Sequence, residues 1–132
     1  MGLKTYEISV VGNVLLFTGY GQWGEITVSL YTKELKRAID TIKGNDWAFL
    51  GDFFCSGVMP FQAEQALIDT VKWRIAKGMK ACALVVGNTD TPSVVEAQFS
   101  RIYRAAGANF RIFDNQKEAN KWLLEQGFSQ DN

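Results

Sequence analysis

Three constellations in this chain have the residue types and spacing for chemistry. Gly19-Tyr20-Gly21-Gln22-Trp23-Gly24 satisfies G-x-G-x-x-G between an extended stretch and a helical one. That is the arrangement in which backbone amides and a helix N-terminus receive a pyrophosphate. Asp52 closes the next apolar stretch, where a ribose-binding acid would sit, but it lies 28 residues past Gly24, against an expected spacing of ~20. Tyr20 and Trp23 also put bulk where a pyrophosphate must meet the backbone, so the plain alternative is a strand-to-helix loop whose glycines relieve turn strain. Cys55-Ser56-Gly57 follows a central strand, where α/β folds hold ligands and a helix N-terminus can activate a thiolate. A phosphatase-type loop would need Arg six residues after the Cys, and Phe61 stands there. The plain alternative for Cys55 is a small buried thiol beside Phe53 and Phe54. Third, Asp52, Asp90 and Asp114 each fall at or just past a strand end, a set able to hold Mg²⁺ or to act as acid and base, or simply to serve as turn and cap residues.

What is absent narrows the chemistry further. The chain has no histidine and only two cysteines, Cys55 and Cys82. Ser-His-Asp and Cys-His catalysis, imidazole proton transfer and most zinc sites therefore lack a member. No cofactor and no metal is expected. Fourteen basic residues balance fourteen acidic ones, so no net field recruits nucleic acid or an anionic membrane. Lys33, Lys36 and Arg37 form a basic cluster around Glu34, as a solvated helix face does. The first residues lack an apolar signal core, Tyr6 replaces the Ser or Thr of a myristoylation motif, and no stretch reaches membrane-spanning length. With two unpaired cysteines, a cytoplasmic protein without membrane insertion is expected.

The elements that must position these residues are read from periodicity. At 132 residues the chain suits one domain with a real core, expected over residues 1–128 with a frayed tail at 129–132. Tyr6 to Val11 and Asn13 to Thr18 are β-branched and aromatic around Gly12-Asn13, a hairpin. From Glu25 to Lys43, Val28, Tyr31, Leu35, Ala38, Ile39 and Ile42 recur at helical spacing, and Gly44-Asn45 stops the helix. Trp47 to Phe54 and Ala81 to Val86 are almost continuously apolar, as strands covered on both faces are. A helix from Pro60 to Lys77 carries Glu64, Leu67, Ile68, Val71 and Ile75 on one side. Thr91-Pro92 opens another, burying Val95, Phe99, Ile102 and Ala106 and ending at Gly107. Phe110 to Phe113 is a last strand, and Asn115 with Glu118 forms a capping box for a final helix.

The order β-β-α-β-α-β-α-β-α predicts an α/β fold: a mostly parallel four- to five-stranded sheet with an N-terminal hairpin at an edge and four main helices on both faces. On the second helix Trp73 lies nearly opposite Val71, so it either points outward as an interface residue or lies flat on a neighbouring helix.

Several phrases of this chain resemble the STAS family, and more closely its SpoIIAA-like branch. They are the strand Trp47-Ala48-Phe49-Leu50-Gly51-Asp52, the apolar strand from Cys82 to Gly87, and the end. That end runs Phe110-Arg111-Ile112-Phe113-Asp114-Asn115, then Lys117-Glu118-Ala119 and Trp122-Leu123. The likeness spans roughly residues 6 to 124. It implies a non-enzymatic regulatory module that binds a protein partner, a second copy of itself, or a small ligand. In antagonists of this family a Ser or Thr at the start of the helix after the third strand is phosphorylated. Here that stretch is Val58-Met59-Pro60-Phe61-Gln62-Ala63, without an Asp-Ser-Ser-Gly-like run, which leaves Ser56, a few residues earlier, as the switch position. The branch is also likened to lipid-carrying folds. That likeness implies an apolar pocket at the strand C-termini lined by Phe53, Phe54, Val58, Met59, Phe61, Tyr20 and Trp23. The ligand-contacting set expected on that rim is Tyr20, Trp23, Asp52, Cys55, Ser56, Met59, Phe61, Asn88 and Thr91.

Overall fold

A computed structural model describes residues 6–42, 46–55 and 58–130. Ser56 and the Gly44-Asn45 helix stop lie outside the described residues. The elements follow the expected order: β1 (Tyr6–Val11), β2 (Val14–Gly21), α1 (Glu25–Asp40), β3 (Trp47–Cys55), α2 (Phe61–Ala76), β4 (Met79–Val85), α3 (Pro92–Ala106), β5 (Phe110–Phe113) and α4 (Gln116–Glu125). The five strands lie side by side in chain order. β1 pairs antiparallel with β2 at the edge, and β2 through β5 are parallel.

This strand order dictates where the helices go. Right-handed crossovers that step one strand at a time in a single direction put every intervening helix on the same face. Accordingly α1, α2 and α3 pack together over one side, against Leu15, Phe17, Trp47, Phe49, Phe53, Cys82 and Leu84. Only α4 crosses to the other side, where Ala119, Trp122 and Leu123 meet Val14, Ala48, Leu50, Ala81, Ala83 and Val85. β3 and β4 are therefore covered on both faces, which explains their unbroken apolar runs. The alanines on the α4 side allow the helix to approach closely, while bulky rings fill the three-helix side.

Gly87 and Gly21 each have a steric reason to be glycine. A Cβ on Gly87 would run into the carbonyl oxygen of Asp114, because the chain leaving β4 passes directly against the end of β5. Gly21, the last residue of β2, has φ +67°, a left-handed conformation open to few other residues. Ser129 and Gln130 are hydrogen-bonded to the body of the domain. Phe128 is buried, the Ser129 amide donates to Asn13 Oδ1 at 2.9 Å, and Gln130 Nε2 donates to Asn120 Oδ1 at 2.8 Å. The hairpin turn thus holds Ser129. Among the described residues, no helix is long and apolar enough to cross a membrane.

Candidate functional site

Strand alternation divides the rim into two sides. Successive side chains point to opposite faces, so Phe17, Gly19, Phe49, Gly51 and Phe53 belong to the three-helix side, and Thr18, Tyr20, Asp52 and Phe54 to the α4 side. Tyr20 and Phe54 are register partners and stack with ring centroids 5.7 Å apart. Neither reaches the apolar cavity on the three-helix side, contrary to the expected lining. Phe61, the first residue of α2, also fails to line it and is exposed.

That cavity has a volume of about 40 Å³ and lies between the sheet and α1, α2 and α3. Phe17, Phe49, Phe53, Leu67 and Phe99 form apolar wall, and Gly21, Cys55, Val58 and Met59 form its outer end. Trp23 turns inward, as expected of a lining residue. Its indole is buried, with centroids 5.5 Å from Phe17 and 5.6 Å from Tyr31. The Trp23 insertion also bears on the G-x-G-x-x-G motif. Gly19 is a buried strand residue opposite Phe53, not part of a loop, and the indole fills the space beneath the strand-to-helix turn. Gly21 ends β2 and Gly24 is the N-cap of α1, so the run is part strand and part turn.

The floor is polar. Arg74 is 0% exposed. Its Nη1 donates to Tyr31 Oη at 2.6 Å, its Nη2 to Tyr103 Oη at 2.7 Å, and its Cζ stacks 4.0 Å from the Phe49 ring centroid. Burial raises the pKa of both tyrosine hydroxyls above the phenol range, so they are neutral at pH 7 while the guanidinium stays charged. The Arg74, Tyr31 and Tyr103 cluster was not singled out in the sequence, although a signal existed. Arg74 follows Leu67 and Val71 at helical spacing, so it interrupts the apolar stripe of α2 on the side that must face the sheet.

The outer wall is held by side-chain bonds. Gln98 Oε1 accepts from the Met59 amide at 2.8 Å, and Gln98 Nε2 donates to the Met59 carbonyl at 2.9 Å and to Glu64 Oε1 at 3.0 Å. Arg101 binds the same carboxylate with both Nε and Nη2, which, with Gln98, lowers the Glu64 pKa against its burial. Cys55 lines the cavity as a half-buried thiol. Burial, with a smaller push from Asp90, raises its pKa to about 11. It is not an activated nucleophile.

On the other side Asp52 is buried and satisfied by amides alone: Asn88 Nδ2 donates at 3.0 Å and Gln116 Nε2 at 2.7 Å. Asn88 and Asp52 are thus together, on the α4 side and away from the cavity. Among the described residues, Asp52, Asp90 and Asp114 do not form a metal-holding group. Thr91 stands at the N-cap of α3 without a side-chain capping bond, exposed, whereas Asn115 does cap α4 through the Glu118 amide.

The three-plus-one helix arrangement on a sequentially ordered sheet can be compared with known proteins. No protein-family model matches the chain, and no curated protein matches it. A solved structure does match: an uncharacterised protein of the DUF3478 family, with a SpoIIAA-like fold, from Shewanella loihica PV-4. The TM-score is 0.64 at 17% identity, over 93% of this chain and 97% of that one. The fold is SpoIIAA-like. At that identity the likeness carries architecture and no residue roles. Ser56, the position expected for a phospho-switch from the family resemblance, falls outside the described residues. Trp73 is half-buried, with the Lys36 ammonium 5.7 Å from its ring centroid. It therefore packs beside α1 and is not a bare outward ring.

Proposed function

We propose that this protein is a non-enzymatic binding module that carries or senses a small apolar or amphipathic ligand, taken up at the C-terminal rim of the sheet. One observation carries the reading: the apolar cavity ends at a rim ringed by exposed apolar side chains. Ile26, Val58, Phe61 and Val94 sit in the segment that follows β3 or in the first turns of α1, α2 and α3, with Ile26 77% and Phe61 70% exposed and Val58 lining the cavity itself. Tyr20 and Phe54 continue the apolar rim on the α4 face. Leu30 and Leu124 are the other large apolar residues exposed among those described. Apolar side chains gathered at one edge mark a binding surface, and the cavity of about 40 Å³ beside it has room for part of a ligand whose remainder lies on that surface.

The same ring supports a second reading, in which a protein partner or a second copy of this chain covers Ile26 and Phe61. Native mass spectrometry of the purified protein separates the two. A stoichiometric small-molecule adduct on a monomer supports the carrier. A ligand-free dimer supports self-association, and a ligand-free monomer that takes up no added apolar compound overturns the carrier reading.

A further inference from the structure

Building on the carrier reading, we propose that the cavity is a carboxylate receptor: Arg74, Tyr31, Tyr103 and Trp23 bind the head group of a monoanionic ligand whose short apolar tail runs out toward Gly21 and Val58.

The argument starts from what is missing around Arg74. It is buried completely, and among the described residues no carboxylate forms an ion pair with it; the ion pair there is Arg101 with Glu64. Buried arginine is ordinarily matched by an acid, because an isolated charge in an apolar interior is strongly unfavourable. Two neutral phenols, the buried Cys82 thiol beside the guanidinium, and the faces of Phe49 and Tyr103 offset part of that cost, and none of them carries a formal negative charge. Two buried side-chain polar atoms among the described residues lack a hydrogen-bond partner, Arg74 Nε and Trp23 Nε1. Both side chains line this one cavity. Native interiors satisfy nearly all such groups, so two orphaned donors in the lining of one cavity call for an acceptor from outside the chain.

The chemistry of the set defines the ligand. Arg74 and the Trp23 indole only donate. Tyr31 and Tyr103 use their oxygens to accept from Arg74, which leaves each phenolic proton to be donated. The cluster thus offers guanidinium, indole and phenol donors with one net positive charge, and its spare acceptor capacity is limited to the remaining lone pair of each phenol oxygen. An anion with several acceptor sites complements it, and a single charge matches a carboxylate better than a dianionic phosphate. The remaining wall is apolar, which suits the methylenes behind such a head group. A cavity of about 40 Å³ exceeds the ~10–15 Å³ that one water occupies but cannot enclose a long chain. The tail must leave past Gly21 and Val58, both of which are exposed.

Isothermal titration of the full chain with butyrate, hexanoate and octanoate, and with the primary alcohols of matching length, tests this. The expected result is binding of a carboxylate at least about tenfold tighter than its alcohol, as a charge-assisted bond implies, and loss of that preference in Arg74→Met. Should Arg74→Met fail to fold, Arg74→Met/Tyr31→Phe/Tyr103→Phe, which leaves no orphaned phenol, takes its place. Equal binding of acid and alcohol overturns the receptor and leaves the carrier reading standing. Undiminished carboxylate binding by the folded variant also overturns the receptor. Failure of every acid and alcohol to bind overturns both.

Discussion

Gln98 holds Met59 by its backbone in both directions, accepting from its amide at 2.8 Å and donating to its carbonyl at 2.9 Å. A side-chain amide thus imitates a strand partner for a segment that has none, and ties the outer cavity wall to α3. Replacing Gln98 with Ala leaves both Met59 groups and one Glu64 oxygen without this partner. The expected cost is about 1–3 kcal/mol, read as a lower denaturation midpoint at unchanged m value. Amide exchange at Met59 should accelerate more than exchange in β3. Equal acceleration everywhere would mean that Gln98 supports the whole domain and not this segment.

The Arg74 cluster makes a prediction of opposite sign. Buried charged groups replaced by apolar residues of similar shape often give a protein more stable by about 1–4 kcal/mol. Arg74→Met/Tyr31→Phe/Tyr103→Phe removes the guanidinium and both hydroxyls that depend on it, so its melting temperature should exceed that of the parent. A triple variant less stable than the parent would show the cluster to be a structural strut. A gain means the chain retains a stability cost at this site, as binding sites do.

The architecture was legible because it rests on patterns repeated along the chain. Alternation in β1 and β2, unbroken apolar runs in β3 and β4, and the stripes of α1 and α3 each report how many faces are covered. The site was less legible for two physical reasons. Charged residues are ordinarily on the surface, so residue type argues against Arg74 as a core residue although its spacing from Leu67 and Val71 places it against the sheet. Loop residues carry no period, so nothing local marks Trp23 as turning in, whereas Tyr20 belongs to β2, which runs on to Gly21, and parity sends it to the opposite face. Asp52 shows the same limit: its strand-end position was evident, but its amide partners Asn88 and Gln116 come from 36 and 64 residues away.

Asp52 provides a test that the two faces are independent. Asp52→Ala orphans the amides of Asn88 and Gln116 and should cost about 1–3 kcal/mol. Because Asp52 lies on the α4 side, carboxylate binding at the Arg74 cavity should change less than about twofold, within the limits of additivity for separated sites. A tenfold loss in titration would place Asp52 in the ligand site after all.

Gly87→Ala probes the crossing of the β4 and β5 ends. The added methyl meets the Asp114 carbonyl oxygen, and backbone cannot step aside as a flexible side chain does. A loss of about 1–3 kcal/mol or more is expected, with the near-ultraviolet signal of Trp122, beside Phe113, disturbed as β5 shifts. A variant as stable as the parent would show that this crossing has slack.

The thiol of Cys55 reports whether the outer wall is closed. Burial raises its pKa from 9.0 to about 11, so near pH 8 its thiolate fraction, and its alkylation rate, should lie about a hundredfold below a free thiol. The sign for stability follows from proton counts. Between those pKa values the folded chain keeps this proton and the unfolded chain has lost it, so stability is full below pH 9 and falls as pH rises toward 11. Cys82, raised by burial to about 12, acts in the same direction, so Cys55→Ala should reduce the alkaline slope without abolishing it. Labelling in the Gln98→Ala background should be faster if the Met59 segment screens the thiol. Unchanged labelling there would assign the screening to the rings of the cavity wall.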